Sequence, residues 1–186
     1  MTHLLPTASQ TVGPFFAIGL TWPDGPHVVE PDNPAAIVIH GAVFDGDGKP
    51  IPDAVVETWQ ADSEGRYPHP DDPRGGETNF RGFGRSGTSE MGGWAITTIK
   101  PGQVAGPNGS LQAPHIEVSV FARGLLQRVV TRIYFPDEEA ANAADPVLAS
   151  LPATAASETL IAHESDEGYR FDIHLQGEHE TVFFAV

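Results

Sequence analysis

Three short stretches carry side chains able to do chemistry. In His115-Ile116-Glu117 a histidine and a carboxylate stand two residues apart in an apolar run. Residues i and i+2 of a strand share a face, so both side chains could reach one metal ion; an ordinary hydrogen-bonded pair satisfies the same spacing. In Gly65-Arg66-Tyr67 a tyrosine stands at the mouth of a long polar segment. Its phenol is either packed with a solvated hydroxyl or, once ionised, a hard oxygen ligand suited to ferric iron. In Phe121-Ala122-Arg123-Gly124 an arginine ends the stretch that begins at His115. It is either a surface charge or a planar fork that grips a carboxylate at two points. Neither a Gly-x-Ser-x-Gly elbow nor a P-loop accompanies them.

The elements that must position these residues read as strands. The chain's 20 glycines and 17 prolines punctuate short apolar runs, the pattern of an all-β sandwich or barrel. β-branched and aromatic content predicts strands at Ala36–Phe44, Ala54–Gln60, Gly93–Ile99, His115–Phe121, Gln127–Phe135, Tyr169–Gln176 and Glu180–Ala185. Asp45-Gly46-Asp47-Gly48 lacks the remaining ligands of a calcium loop and reads as a hairpin turn. Pro136–Ser150 opens with acidic residues and continues with alanines, so a short helical segment is expected there. Ala153–Leu160 either extends it, to about residue 160, or is a loop. Arg66–Gly87 reads as one long loop, and a loop of that length in a compact domain usually has a task. Residues 1–35 show no clear element and read as an extended N-terminal arm; residues 36–186 read as the β-sandwich domain.

Composition narrows the partners. The length of 186 residues suits one core. The absence of cysteine excludes disulfides, thiolate metal sites and cysteine nucleophiles, and is compatible with a cytoplasmic location. A formal net charge of −15 opposes binding to nucleic acid. Neither a signal peptide nor a membrane span is expected, so the sequence predicts a soluble protein.

Taken in order, the motifs resemble the intradiol ring-cleaving dioxygenases. They are Thr11-Val12-Gly13-Pro14-Phe15-Phe16, Glu57-Thr58-Trp59-Gln60-Ala61-Asp62, Gly65-Arg66-Tyr67, Thr98-Ile99-Lys100-Pro101-Gly102, Ala113-Pro114-His115-Ile116, Arg132-Ile133-Tyr134-Phe135, Tyr169-Arg170-Phe171-Asp172-Ile173 and Glu180-Thr181-Val182-Phe183-Phe184. The resemblance implies a β-sandwich in which two tyrosines and two histidines hold ferric iron. The first tyrosine falls on Tyr67, but Val104 occupies the second position. The histidine pair falls on His115 and Glu117, and Gln112 replaces an arginine that assists the reaction.

These departures are similar to those of the iron-free α-type chains in heteromeric members of the family. Such a chain pairs with an iron-bearing β-type partner of the same fold and carries neither metal nor catalytic residues of its own. The resemblance then implies that Gly13, Pro14 and Arg123 line a pocket where a small aromatic acid meets O2 at the partner's iron. Two rival readings remain open: a self-sufficient iron dioxygenase using Tyr67, His115, Glu117 and another donor, and a non-catalytic small-molecule-binding sandwich.

Overall fold

A computed structural model describes residues 7–11, 13–74, 80–152 and 154–185. The elements run α1 (Phe16–Leu20), β1 (Ala36–Phe44), β2 (Val55–Trp59), β3 (Phe83–Gly87), β4 (Gly93–Ile99), β5 (Val104–Ala105), β6 (Leu111–Gln112), β7 (His115–Phe121) and β8 (Val129–Tyr134). Three short helices follow, α2 (Glu139–Ala144), α3 (Pro146–Ala149) and α4 (Thr154–Glu158), and then β9 (His163–Ser165), β10 (Gly168–Arg170) and β11 (Ile173–His174).

Two sheets face one another. In the five-stranded sheet β1 is central: β4 runs antiparallel on one side, while β10 and β11 run parallel along successive parts of the other. The second sheet is antiparallel in the order β3-β2-β7-β8, and β5 with β6 makes a separate hairpin. Alternation explains the core. On β7, Ile116, Val118 and Val120 are all fully buried between the sheets, together with Val56 and Ile133 from their neighbours. Ile39, Val43, Trp94, Ile96 and Ile173 meet them from the other sheet. Each such aliphatic side chain contributes about 1.5–3 kcal/mol through removal from water. The period of two then sends His115, Glu117 and Ser119 to the outer face of the four-stranded sheet.

The structure redraws several expected elements. The segment Arg66–Gly87 is not loop throughout, because its last five residues are β3, paired along the whole of β2; residues 75–79 lie outside the described part. The expected helix over Pro136–Ser150 breaks at Asp145-Pro146. Proline cannot supply the helical N–H and pushes the residue before it into an extended conformation, here φ −70° and ψ 124°. The Asp145 carboxylate instead caps α3, accepting from the N–H groups of Val147 and Leu148 at 2.8 and 2.9 Å.

Tyr169–Gln176 divides into β10 and β11 because the Asp172 side chain, rather than a main-chain carbonyl, accepts the Ala42 N–H at 3.0 Å. Glu180–Ala185 is not a strand. The Thr159 and Thr131 hydroxyls take up the Val182 N–H and carbonyl, at 3.1 and 2.7 Å, leaving a single bridge between Val130 and Phe184. The N-terminal stretch is not wholly extended, since it contains α1; residues 1–6 and 12 lie outside the described part. Residue 153 does too, but Thr154–Glu158 is helical, which places a helix within Ala153–Leu160.

Candidate functional site

The outer face of the four-stranded sheet carries the chemistry, and cross-strand register assembles it. Trp59 stands opposite Glu117, Glu117 opposite Arg132, and His115 opposite Tyr134. Directly opposed side chains interact across a sheet as i,i+4 pairs do along a helix. Tyr67 arrives from the turn after β2. The Asp62 carboxylate holds that turn, accepting from the N–H groups of Glu64 and Arg66 at 2.9 and 3.0 Å and from Arg66 Nε at 2.9 Å. Gly65 has φ 74°, and a Cβ there would lie 1.9 Å from the Gln103 carbonyl oxygen, so only glycine lets the turn approach the segment leading to Val104. Trp59, Tyr67, His69, Asp72, Val104 and Glu117 are among the residues around a cavity of about 600 Å³.

From Glu117 a network of mutually engaged polar groups runs behind the cavity wall. Arg132 Nη2 meets Glu117 Oε1 at 2.7 Å, while Arg132 Nη1 donates to Gln112 Oε1 at 2.7 Å and to the Tyr134 hydroxyl at 3.3 Å. The Tyr134 hydroxyl donates to Asp145 Oδ1, also at 3.3 Å. Burial would raise the Glu117 carboxyl, but His115 and Arg132 outweigh it and hold the group below its ordinary value. Burial raises Tyr134 to about 12, with the Asp145 charge adding to it. Tyr67 is also raised, first by burial and then by the Glu117 charge.

A ferric ion does not fit this donor set. His115 alone keeps a ligand's geometry: its Nδ1 lies 2.7 Å from the Ala113 carbonyl and so carries the proton, leaving Nε2 buried and without a hydrogen-bond partner. The Nε2 atom is 3.6 Å from Glu117 Oε1, beyond hydrogen-bond range but within reach of the carboxylate's charge. Val104 offers no donor atom. Tyr67 is stacked on Trp59 with ring centroids 6.1 Å apart, and burial raises its phenol above the ordinary value. Glu117 already holds a cation, and a guanidinium in the site repels a second one. Among the described residues no group of three or more histidines, aspartates and glutamates could hold a metal ion.

Gly13, Pro14 and Arg123 lie elsewhere. Arg123 lies two residues beyond the far end of β7, a strand that spans roughly 20 Å from His115 to Phe121 at a rise of about 3.3 Å per residue. Its side chain is 59% exposed, with Nε 3.2 Å from Asp53 Oδ2. Thr11 Oγ1 accepts the N–H of Gly124 at 2.9 Å, so the arm is tied to the residue after Arg123. Gly13, with φ 70°, turns the chain immediately beyond that tether. The structure therefore sorts the expected residues into two places: Tyr67, Val104 and Glu117 on the cavity with His115 and Gln112 beside them, and Gly13, Pro14 and Arg123 at the opposite end of the sheet. Arg132, Tyr134 and Asp145 were not singled out as site residues. The i, i+2 spacing of Arg132 and Tyr134 on a predicted strand was the available signal, but the partner strand and register were not.

Comparison with known proteins agrees with this architecture. The family profile described as Dioxygenase matches residues 26–177. The chain is 41% identical over 202 aligned positions to the protocatechuate 3,4-dioxygenase alpha chain of Burkholderia cepacia, covering 100% of both. It is 37% identical to the beta chain of the same species' enzyme over 157 positions, 78% of this chain and 66% of that one. The structure of catechol 1,2-dioxygenase from Acinetobacter sp. ADP1 superposes with a TM-score of 0.62 at 25% identity, covering 81% of this chain and 56% of that one. The chain belongs to the dioxygenase family, and within it to the intradiol ring-cleaving branch.

Proposed function

We propose that this chain is the iron-free α-type subunit of a protocatechuate 3,4-dioxygenase, completing a substrate pocket whose ferric iron is bound by a β-type partner. The observation that carries the reading is the Arg132 guanidinium on Glu117: a ligand position has become an anion paired internally, beside a second position filled by Val104. Similarity to an alpha chain over the whole length supports the same assignment. In this reading Tyr67 and His115 are remnants of a site, and Glu117 and Gln112 serve the internal network.

The holoenzyme cleaves protocatechuate between its hydroxyl-bearing carbons, incorporating both atoms of O2 to give 3-carboxy-cis,cis-muconate. That reaction belongs to aromatic catabolism through the β-ketoadipate pathway. The partner's iron supplies the redox chemistry. This chain contributes binding: Arg123 attracts the substrate carboxylate, and Gly13-Pro14 lets backbone approach the ring. The N-terminal 35 residues act as the arm that makes inter-subunit and pocket contacts, and residues 36–186 form the sandwich domain. A cytoplasmic location agrees with the lack of cysteine, and no described helix is long and apolar enough to cross a membrane.

Iron analysis of the chain alone and with a co-expressed β-type partner tests the proposal. The isolated chain is expected to hold no stoichiometric iron and to lack the red-brown tyrosinate-to-iron absorption band, both appearing with the partner. One iron per isolated chain, with that band, overturns it in favour of the self-sufficient reading.

A further inference from the structure

The middle of the arm is held by charge rather than by apolar burial. No residue of α1 is buried, and Phe15 and Ile18 are each 78% exposed. Ala17, Thr21 and Trp22 face β3 and Gly93 across a cavity of about 420 Å³. What reaches them is a pair of arginines from β3 and the turn before it. Arg85 Nη1 donates to the Leu20 carbonyl at 2.9 Å. Its guanidinium carbon lies 5.1 Å from the centroid of Trp22 and 5.3 Å from that of Phe83, rings stacked 6.5 Å apart. Arg85 Nε donates to Glu57 Oε1 at 2.7 Å, and Glu57 is the residue directly opposite it in the β2–β3 ladder. Arg81 donates through Nη2 to the carbonyls of Asp24 and His27 at 3.1 and 2.5 Å, and through Nε to that of Phe83 at 2.9 Å. An irregular segment must find donors for its carbonyls outside itself, and here the two guanidinium groups supply them.

We propose that Arg85, oriented by Glu57 and aided by Arg81, is a positioning residue that sets the path of the arm and so the placement of Gly13-Pro14 beside Arg123. The proposal rests on the reading above, in which those three residues line the shared pocket. Gly13 and Pro14 lie between two tethers: Thr11 on Gly124 upstream, and Leu20 on Arg85 downstream. Releasing the Leu20 tether moves the next downstream anchor to Asp24 and Gly25, held by Arg81 and by the Arg85 main-chain N–H, while the buried core of the sandwich is untouched.

The test compares Arg85→Ala, Arg85→Lys and Trp22→Leu, each paired with the iron-bearing partner. Trp22 belongs to the arm and not to the core, so Trp22→Leu leaves the sandwich intact should Arg85→Ala fold poorly. The readouts are hydrogen exchange over residues 14–24, KM and kcat for protocatechuate, and iron content. Loss of a charge-assisted hydrogen bond should speed arm exchange by about tenfold and raise KM by about three- to tenfold, with kcat and iron content unchanged. Arg85→Lys keeps the charge but cannot bridge Leu20 and Glu57 together, so it should fall between. A merely structural defect would instead lower kcat and iron loading while raising KM. Unchanged exchange in both Arg85→Ala and Trp22→Leu overturns the proposal, as does faster exchange with unchanged KM. If the wild-type pair cleaves no substrate, the functional reading falls, and exchange in the isolated chain still decides whether Arg85 holds the arm.

Discussion

Glu117 and Arg132 show how one substitution changes what a site needs. At this position a carboxylate faces a guanidinium at 2.7 Å, and the pair ties β7 to β8. Replacing Glu117 by glutamine strands the cation. The cost should be about 2 kcal/mol, below the roughly 3–5 kcal/mol of a fully buried pair because 29% of the Glu117 side chain is exposed. For a chain of this size that is a fall in Tm of about 4–8 °C. Since the folded carboxyl lies below its unfolded value, its contribution is present above about pH 4.3 and is lost as pH falls through the folded value. Thermal melts of wild type and Glu117→Gln should therefore differ most near neutrality and converge in acid; a gap that stays constant with pH would refute the pairing.

Arg123 makes the second residue-scale prediction. A hydrogen bond to a charged group is worth about 1.5–3 kcal/mol, and about 1.4 kcal/mol is tenfold in affinity. Arg123→Ala in the complex should thus weaken protocatechuate binding about ten- to hundredfold, with the partner's iron content unchanged. Catechol, which lacks the carboxylate, should be affected much less. Equal losses for both would mean that Arg123 serves structure, through Asp53, rather than the substrate.

Among the elements, the short helix α3 depends on a single side chain. Asp145 is fully buried and accepts from Val147, Leu148, Ala113 and Tyr134, joining α3 to the segment that enters β7. Asp145→Ala removes a cap worth about 0.5–2 kcal/mol and two further hydrogen bonds of about 0.5–1.5 kcal/mol each. A loss of about 2–4 kcal/mol in denaturant unfolding is expected, whereas a change under 1 kcal/mol would show that water replaces the carboxylate. The arm behaves differently. Among the described residues of 1–16 none contributes a core side chain, so on deleting that stretch the sandwich should keep its melting transition while assembly or turnover with the partner falls. Full activity from the truncated chain would sever the arm from the pocket.

For the whole molecule, the division of labour predicts stoichiometry. A purified α-type and β-type pair should contain one iron per two chains, and colour should follow the partner through any dissociation. Two irons per pair would show that the cavity beside Tyr67 binds metal after all. The acidity of this chain, −15 in formal charge, disfavours an anionic ligand over most of its surface. Against that background, the role proposed for Arg123 in drawing in an aromatic acid would be a local exception.

The sandwich was legible in the residues because alternation is a local property: Ile116, Val118 and Val120 announce which face of β7 is buried without reference to any partner. That Val104 and Glu117 stand where iron ligands are expected is what the resemblance to the intradiol family implies. The pairing of Glu117 with Arg132 was not legible in the same way. Arg132 meets Glu117 only because β7 and β8 pair in one register, and a shift of one residue would turn Arg132 to the other face. The same holds for the sequence-distant contacts between Thr11 and Gly124 and between Arg85 and Leu20. The threonine hydroxyls that keep Glu180–Ala185 from forming a strand are of this kind too. Side-chain type fixes which bonds a residue can make; only the folded path of the chain decides which partner stands within 3 Å.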